Sequence, residues 1–216
     1  MSYRWIGLST GVVLGTVGIG VQFISTSEIV FSLLSATIVI QGFIGYWSGK
    51  KYENMQKMAY LDSLTGVLVN KRFNQLLQQE IERARRHGYL VTLMFIDLDN
   101  FKKYNDKHGH LAGDRLLVRF AQLLEKTVRD QDTVGRWGGE EFVVLLPHTD
   151  TEQGIIVGRR IQGVLRQEIP GITVSIGLAS YPDHAACATE LAARADALMY
   201  EAKKKKDCML AGPLSG

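Results

Sequence analysis

Cysteine is scarce in this sequence of 216 residues, which contains only Cys187 and Cys208. The two residues form neither a CxxC pair nor a metal-ligand spacing, so the sequence does not indicate a disulfide framework or a zinc site. We expect both to be reduced cytosolic thiols. Excess charge is also small, since the formal net charge is +3. This balance is too mild to predict a nucleic-acid partner.

Charged residues are almost absent from the N-terminal region, where Glu28 is the only one between Trp5 and Trp47. The two apolar runs on either side of Glu28 are each close to the ~20 residues that a spanning helix needs. We predict two transmembrane helices, at about 5–24 and 29–47, within residues 1–49. A cleaved signal peptide is the alternative for the first run, but this run is longer than a typical signal-peptide core.

The flanking charges predict the orientation of this hairpin. Arg4 lies before the first run and Lys50-Lys51 after the second, so the positive-inside rule places both termini in the cytoplasm. The turn between the runs is too short for an extracellular sensory domain. Residues 50–61 then show helical spacing of apolar side chains and are expected to form a linker or signalling helix.

A Gly-Gly stretch followed by two acids lies between two apolar runs. Thr133-Val134 precede it and residues 143–146 follow it, which predicts a β-hairpin with Gly138-Gly139 at the turn. Glycine allows the backbone to approach a phosphate closely, and the carboxylates of Glu140 and Glu141 are suited to a cation. An ordinary solvated hairpin tip is the alternative explanation of this stretch.

A second acidic position follows a buried-strand pattern. The apolar residues 90–96 end in Asp97, so a carboxylate lies at the carboxyl end of a strand, where a neighbouring hairpin can reach it. Oxygen ligands from Asp97 and Glu140, with no histidine or cysteine nearby, favour Mg²⁺ or Mn²⁺ over zinc.

The run from Gly138 to Phe142 resembles the signature of the GGDEF family of diguanylate cyclases, in its GGEEF form. Asp62-Ser63-Leu64-Thr65-Gly66 and the run from Phe101 to Asp114 resemble further motifs of that family in order and spacing. The resemblance covers roughly residues 60–211, so we expect a catalytic domain at 62–211 and a tail at 212–216. It implies an α+β fold of the nucleotidyl cyclase and polymerase palm type, an antiparallel sheet with flanking helices.

The resemblance also implies an activity and a catalytic centre. Two GTP molecules, one per subunit of a homodimer, would be condensed to cyclic di-GMP and two pyrophosphates. The metal would be held by Asp97, the carbonyl of Leu98 and Glu140, and it would lower the pKa of the attacking hydroxyl. Glu140 would help to remove the proton, with Glu141 as a supporting carboxylate. The protein would be anchored, as a multi-pass protein, in the bacterial inner membrane with the catalytic domain in the cytoplasm.

Substrate-binding residues are implied in the same way. Asn105 and Asp114 would recognise guanine, because a carboxylate can accept hydrogens that adenine does not present. The residues expected near the triphosphate are Lys102, Gly138, Gly139 and Lys203. Near its C-terminal end the sequence departs from the family at two positions, where Asp207 replaces an arginine and Lys206 replaces a glycine. Either Lys205 or Lys206 substitutes for the arginine, or GTP binds more weakly than in a typical member.

Arg129 and Asp132 match an R-x-x-D pattern that binds the product as an inhibitor in many family members, and Arg160 is a candidate second arginine. An exposed ion pair is the alternative explanation. A different function also remains open, in which the chain is a catalytically silent receptor for cyclic di-GMP. The input would come from the membrane or from a membrane or cytosolic regulator.

Overall fold

The computed structural model describes residues 28–58 and 60–213. The chain divides into two compact units, with the boundary between residues 59 and 60. The predicted division into a linker at 50–61, a catalytic domain at 62–211 and a tail stays a prediction.

The first unit contains helix α1, Glu28–Met58. The prediction of a multi-pass inner-membrane protein is wrong for the part of the chain that can be judged, because no helix within residues 28–58 and 60–213 is sufficiently long and apolar for a membrane crossing. Helix α1 contains Gln41 and continues through Lys50 and Lys51. The other predicted span, at 5–24, lies outside the described residues.

The second unit is built on one six-stranded sheet. Its strands are β1 (Leu68–Val69), β2 (Val91–Leu98), β3 (Thr133–Gly138), β4 (Glu141–Pro147), β5 (Val174–Tyr181) and β6 (Met209–Ala211). They lie in the order β1-β3-β4-β2-β5-β6. The four central strands are antiparallel as predicted, but β1 pairs with β3 and β6 with β5 in parallel. The sheet is therefore mixed, because two edge strands that are too short for a sequence pattern pair in parallel with their neighbours.

Five helices cover both faces of the sheet. They are α2 (Asn70–His87), α3 (Phe101–His108), α4 (His110–Thr127), α5 (Thr151–Glu168) and α6 (Ala188–Lys205). Alternate residues of β2 enter two separate apolar clusters, with Met94 and Ile96 in one and Leu93 and Phe95 in the other. Every residue of β2 and β5 is buried, and most of these residues are apolar, as is typical of strands covered on both faces. The few polar residues in these strands need a polar partner or a functional role, because burying an unpaired polar group is costly.

Candidate active site

The strand register brings the two predicted acidic positions together. Asp97 of β2 lies directly opposite Glu141 of β4, and the backbone N–H of Leu98 reaches the carbonyl oxygen of Glu140 at 3.4 Å. Because directly opposed residues of antiparallel strands have Cβ atoms about 5 Å apart, both carboxylates lie at the same end of the sheet. The hairpin therefore ends beside the last residues of β2.

The hairpin has the predicted two strands, but its turn is displaced by one residue. Gly138 is the last residue of β3 and pairs with Glu141, so the two-residue turn consists of Gly139 and Glu140. Gly139 has φ +42°, a conformation in which a side chain is disfavoured. The register of the β3–β4 pairing also shifts between Arg136 and Gly138, so the pairing is irregular next to the tip.

Arg136 holds the tip in place, a role that the sequence analysis missed. Its Nε and Nη2 donate to the carbonyl oxygen of Gly139 at 3.0 and 2.7 Å, and its Nη1 donates to Asp62 Oδ1 at 2.9 Å. Asp62 Oδ1 also accepts from the backbone N–H and the hydroxyl of Thr65. The sequence does contain a signal for this contact, because an arginine precedes the signature stretch and an acidic residue, Asp62, begins the Asp62-to-Gly66 motif.

Asp97 is fully buried and carries the strongest perturbation at this site. Burial raises its pKa from 3.8 to about 6, the nearby charges of Glu140 and Glu141 add to the effect, and Lys203 opposes it. Lys203, near the end of α6, donates from Nζ to Asp97 Oδ2 at 2.6 Å. The other oxygen, Oδ1, is buried and has no hydrogen-bond partner within the described part of the chain.

The pKa values of Glu141 and Lys203 are also shifted by burial and by the negative charges around them. Burial raises the pKa of Glu141, with Asp196 and Glu140 adding to the rise and Lys203 working against it. Burial alone would lower the pKa of Lys203, but its hydrogen bond to Asp97 and the charges of Glu140 and Glu141 raise it. Three carboxylates thus share one ammonium group, which leaves the site with excess negative charge.

These residues fit a divalent cation. The buried, unpartnered oxygen of Asp97 and the excess negative charge are features that a hard metal ion would satisfy with oxygen ligands. Within residues 28–58 and 60–213, no group of three or more His, Cys, Asp or Glu side chains is close enough to hold a metal. The predicted set needs only two such side chains, Asp97 and Glu140, because its third ligand is the backbone carbonyl of Leu98.

The proposed guanine-recognition residues lie on two consecutive helices. Asn105 is on α3, and its Oδ1 is buried without a hydrogen-bond partner among the described residues. A Cβ at Gly113 of α4 would collide with that oxygen, so the absence of a side chain there makes the amide's position possible. The next residue, Asp114, is exposed, as is Lys102 in the first turn of α3. The buried, unsatisfied oxygen of Asn105 thus lies against Gly113 of α4, the residue that precedes the exposed Asp114.

The turn after α6 carries both departures from the family pattern. The carboxylate of Asp207 accepts from Arg166 Nη2 at 2.8 and 2.9 Å, and its backbone N–H donates to Asp99 Oδ2 at 2.8 Å. Lys206 Nζ donates to Asn100 Oδ1 at 2.6 Å. Asp99 is buried and also accepts from two hydroxyls of the segment that includes β5, so it anchors this turn to the loop after β2. Neither Asp99 nor Arg166 was predicted from the sequence.

The candidate product-binding residues are also brought together. The backbone N–H of Arg129 donates to Asp132 Oδ2 at 2.8 Å, while Oδ1 is buried with no partner in the described segments. Burial raises the pKa of Asp132, against the lowering effect of Arg129 and of Arg160 on α5. Two exposed guanidinium groups therefore act electrostatically on one carboxylate.

Comparisons with known proteins agree with this arrangement. The profile of the family described as "Diguanylate cyclase, GGDEF domain" matches residues 59–208. The probable diguanylate cyclase DgcC of Escherichia coli K12 is 32% identical over 173 residues, which cover 76% of this chain and 47% of that protein. The chain thus spans about half the length of this curated relative.

Two solved structures from Pseudomonas aeruginosa have the same fold. The GGDEF domain of YfiN (TpbB) has a TM-score of 0.67 and 31% identity, and the match covers 70% of this chain and 99% of that domain. Diguanylate cyclase SiaD, solved with its activator SiaC, has a TM-score of 0.66 and 29% identity, and the match covers 97% of this chain and 88% of SiaD. The predicted palm-like α+β fold is confirmed, with a mixed sheet.

Proposed function

The chain belongs to the GGDEF-domain family of diguanylate cyclases, and on that basis we propose that it condenses two GTP molecules into cyclic di-GMP and two pyrophosphates. The observation that carries this proposal is the buried Asp97, whose one free oxygen lies at the sheet end that also holds Glu140 and Glu141. A purely structural domain would have no reason to bury a carboxylate with an unsatisfied oxygen.

The reaction joins two nucleotides through two equivalent steps. In each step the 3′-hydroxyl oxygen of one GTP attacks the α-phosphorus of the other, the bond to the β-phosphate breaks, and pyrophosphate leaves with the electron pair. Glu140, at the hairpin tip, accepts the hydroxyl proton, and Glu141 supports it. Asp97, the carbonyl of Leu98 and Glu140 would hold a divalent metal, which when bound neutralises charge and lowers the pKa of the hydroxyl.

Other residues of the site bind and orient the substrate. At the edge of guanine, the carboxylate of Asp114 accepts hydrogen bonds and the amide of Asn105 can both donate and accept, with the Asn105 oxygen already desolvated against Gly113. The triphosphate lies near Lys102 and Lys203, where the exposed glycines Gly138 and Gly139 leave the backbone accessible. Lys203, whose Nζ donates to Asp97, would donate to a phosphate oxygen of the bound substrate.

One such site binds one GTP, so the proposed reaction needs two domains facing each other in a homodimer. Monomeric protein should therefore be inactive, and activity should rise more steeply than linearly with protein concentration near the dimer dissociation constant. A regulatory protein that changes how the two domains pair would therefore control the activity.

Glu140→Ala tests the assignment, with Glu125→Ala on the exposed face of α4 as the matched control. We expect Glu140→Ala to abolish cyclic di-GMP formation from GTP with Mg²⁺ or Mn²⁺, as measured by chromatography, while its thermal unfolding stays close to that of the parent. Glu125→Ala should retain activity. An unaffected rate in Glu140→Ala would refute the mechanism.

Product inhibition at Arg129, Asp132 and Arg160 is the regulatory part of the proposal. It is supported by the buried, unpartnered Asp132 Oδ1 beside two guanidinium groups, an arrangement suited to a phosphodiester with a hydrogen-bond donor. Arg129→Ala should leave the initial rate unchanged and remove the slowing of turnover as product accumulates. A silent receptor is not favoured, because it would leave the acidic site around Asp97 without a use.

A further inference from the structure

The turn after α6 has an unusual backbone. Lys206 has φ +58° and Asp207 has φ +43°, so two consecutive non-glycine residues occupy the left-handed region. This conformation is costly and persists only where the surroundings enforce it. Here the backbone N–H of Lys206 bonds to the carbonyl of Ala202, and that of Asp207 bonds to Asp99. The turn is held in one shape at the edge of the candidate site.

In this turn the side chains of Asp207 and Lys206 bind different partners. The carboxylate of Asp207 binds Arg166 of α5, which neutralises it. The ammonium of Lys206 instead binds the neutral amide oxygen of Asn100, in the loop between β2 and α3. One helical turn earlier, Lys203 binds Asp97. Lys203 and Lys206 therefore reach the same loop end of β2, one beside the acidic cluster and one beside the start of α3.

This placement suits a polyphosphate. The loop of Asn100 directly follows Asp97 and Leu98 and leads into α3, which carries Lys102 and Asn105. A nucleotide that spans from the acidic cluster to Asn105 must pass this loop. An ammonium bound to a neutral amide loses little when it exchanges that amide for an anionic oxygen. An uncompensated carboxylate at Asp207 would repel the same phosphates.

Resting on the proposed GTP-dependent function, we propose that Lys206 binds the phosphates of the substrate and that Arg166 permits this by neutralising Asp207. Lys206 then takes over the task for which this chain has no arginine at position 207, and Arg166 is a positioning residue. Lys205, which is adjacent and also exposed, does not share this role.

Nucleotide binding tests the proposal without requiring turnover. Lys206→Gln should weaken GTP binding roughly tenfold, the scale of one charge-assisted hydrogen bond, while guanosine binding stays unchanged. Lys205→Gln, which removes the same charge one residue away, should bind GTP like the parent chain. Titration calorimetry with Mg²⁺ measures both ligands, with GTP replaced by its α,β-methylene analogue, which cannot release pyrophosphate. Equal GTP affinity in the two variants, or an equal loss for guanosine, would overturn the proposal.

Two further variants separate binding from folding. Lys206→Gly relieves the positive φ, so it should raise the melting temperature while GTP affinity falls, a combination that misfolding cannot produce. Arg166→Gln should weaken GTP binding, and Asp207→Asn in the same chain should restore it. No rescue would disprove the role of Arg166. A parent chain that binds GTP but forms no product would refute the proposed function and leave this inference intact.

Discussion

Asp97→Asn should make the folded protein more stable at neutral pH while removing its affinity for a divalent metal. The carboxylate is fully buried, and its pKa is raised from 3.8 to about 6, which corresponds to at most about 3 kcal/mol of lost unfolding free energy at pH 7. Asparagine has the same shape and no charge. For a unit of this size the gain corresponds to a melting temperature roughly 6–12 °C higher.

The sign of the pH dependence follows from the direction of the shift. Because the folded state holds this proton more tightly than the unfolded state, the penalty is absent below the unfolded pKa of 3.8. It grows as the pH rises from there to about 6 and is complete above that value. The stability difference between Asp97→Asn and the parent chain should therefore be largest at pH 7 and close to zero at pH 4.

Thermal unfolding of the full chain in a chelating buffer, from pH 4 to 8, measures this difference. Asp106→Asn, at an exposed position of α3, is the matched control and should change little. Added Mg²⁺ should raise the melting temperature of the parent and of the control but not of Asp97→Asn, because only a metal-binding native state is stabilised. If Asp97→Asn is no more stable than the parent at pH 7, or if its advantage is the same at pH 4, the reasoning fails.

Three other predictions concern the groups around this carboxylate. Gly113→Ala should displace the Asn105 amide and lower the preference for GTP over ATP at least about tenfold in competition binding, whereas Gly163→Ala, in open space, should not; equal preferences would contradict this. Arg136→Gln should lower the rate of turnover, and it should lower the free energy of unfolding in urea by about 1–3 kcal/mol; an unchanged rate would show that the hairpin tip does not need the contacts of Arg136. Asp99→Ala leaves two hydroxyls and one N–H without their acceptor, so unfolding should cost about 3 kcal/mol less, and a loss below about 1 kcal/mol would count against its anchoring role.

The central elements were predictable because their patterns are local. Apolar runs bounded by glycine and acidic residues indicate β2 and the β3–β4 hairpin, and helical spacing indicates the helices between them. The edge strands β1 and β6 were missed, because two and three residues cannot show a period. The membrane hairpin was predicted from the near absence of charge between Trp5 and Trp47. Helical spacing in residues 50–61 indicates a further helix, and α1 extends as far as Met58.

The site was predictable only in part, for a similar reason. Asp97, Glu140 and Lys203 were identified by their place in motifs, but their roles stay predictions. The contacts of Arg136 with Asp62 and of Arg166 with Asp207 join positions that are 74 and 41 residues apart in the sequence. No local pattern encodes such pairs, because each depends on which elements become neighbours in the fold.

The sequence by itself determined which groups are available for chemistry and, for most of them, which strand or helix carries them, because secondary structure follows local periodicity. Only the tertiary structure decided how those groups share charge. The sheet register places Asp97 opposite Glu141, the packing of α6 brings Lys203 to the buried carboxylate, and the turn after α6 assigns Asp207 to Arg166 and Lys206 to Asn100. Electrostatic interactions depend on distance in space and on burial, and a sequence specifies neither until the chain has folded.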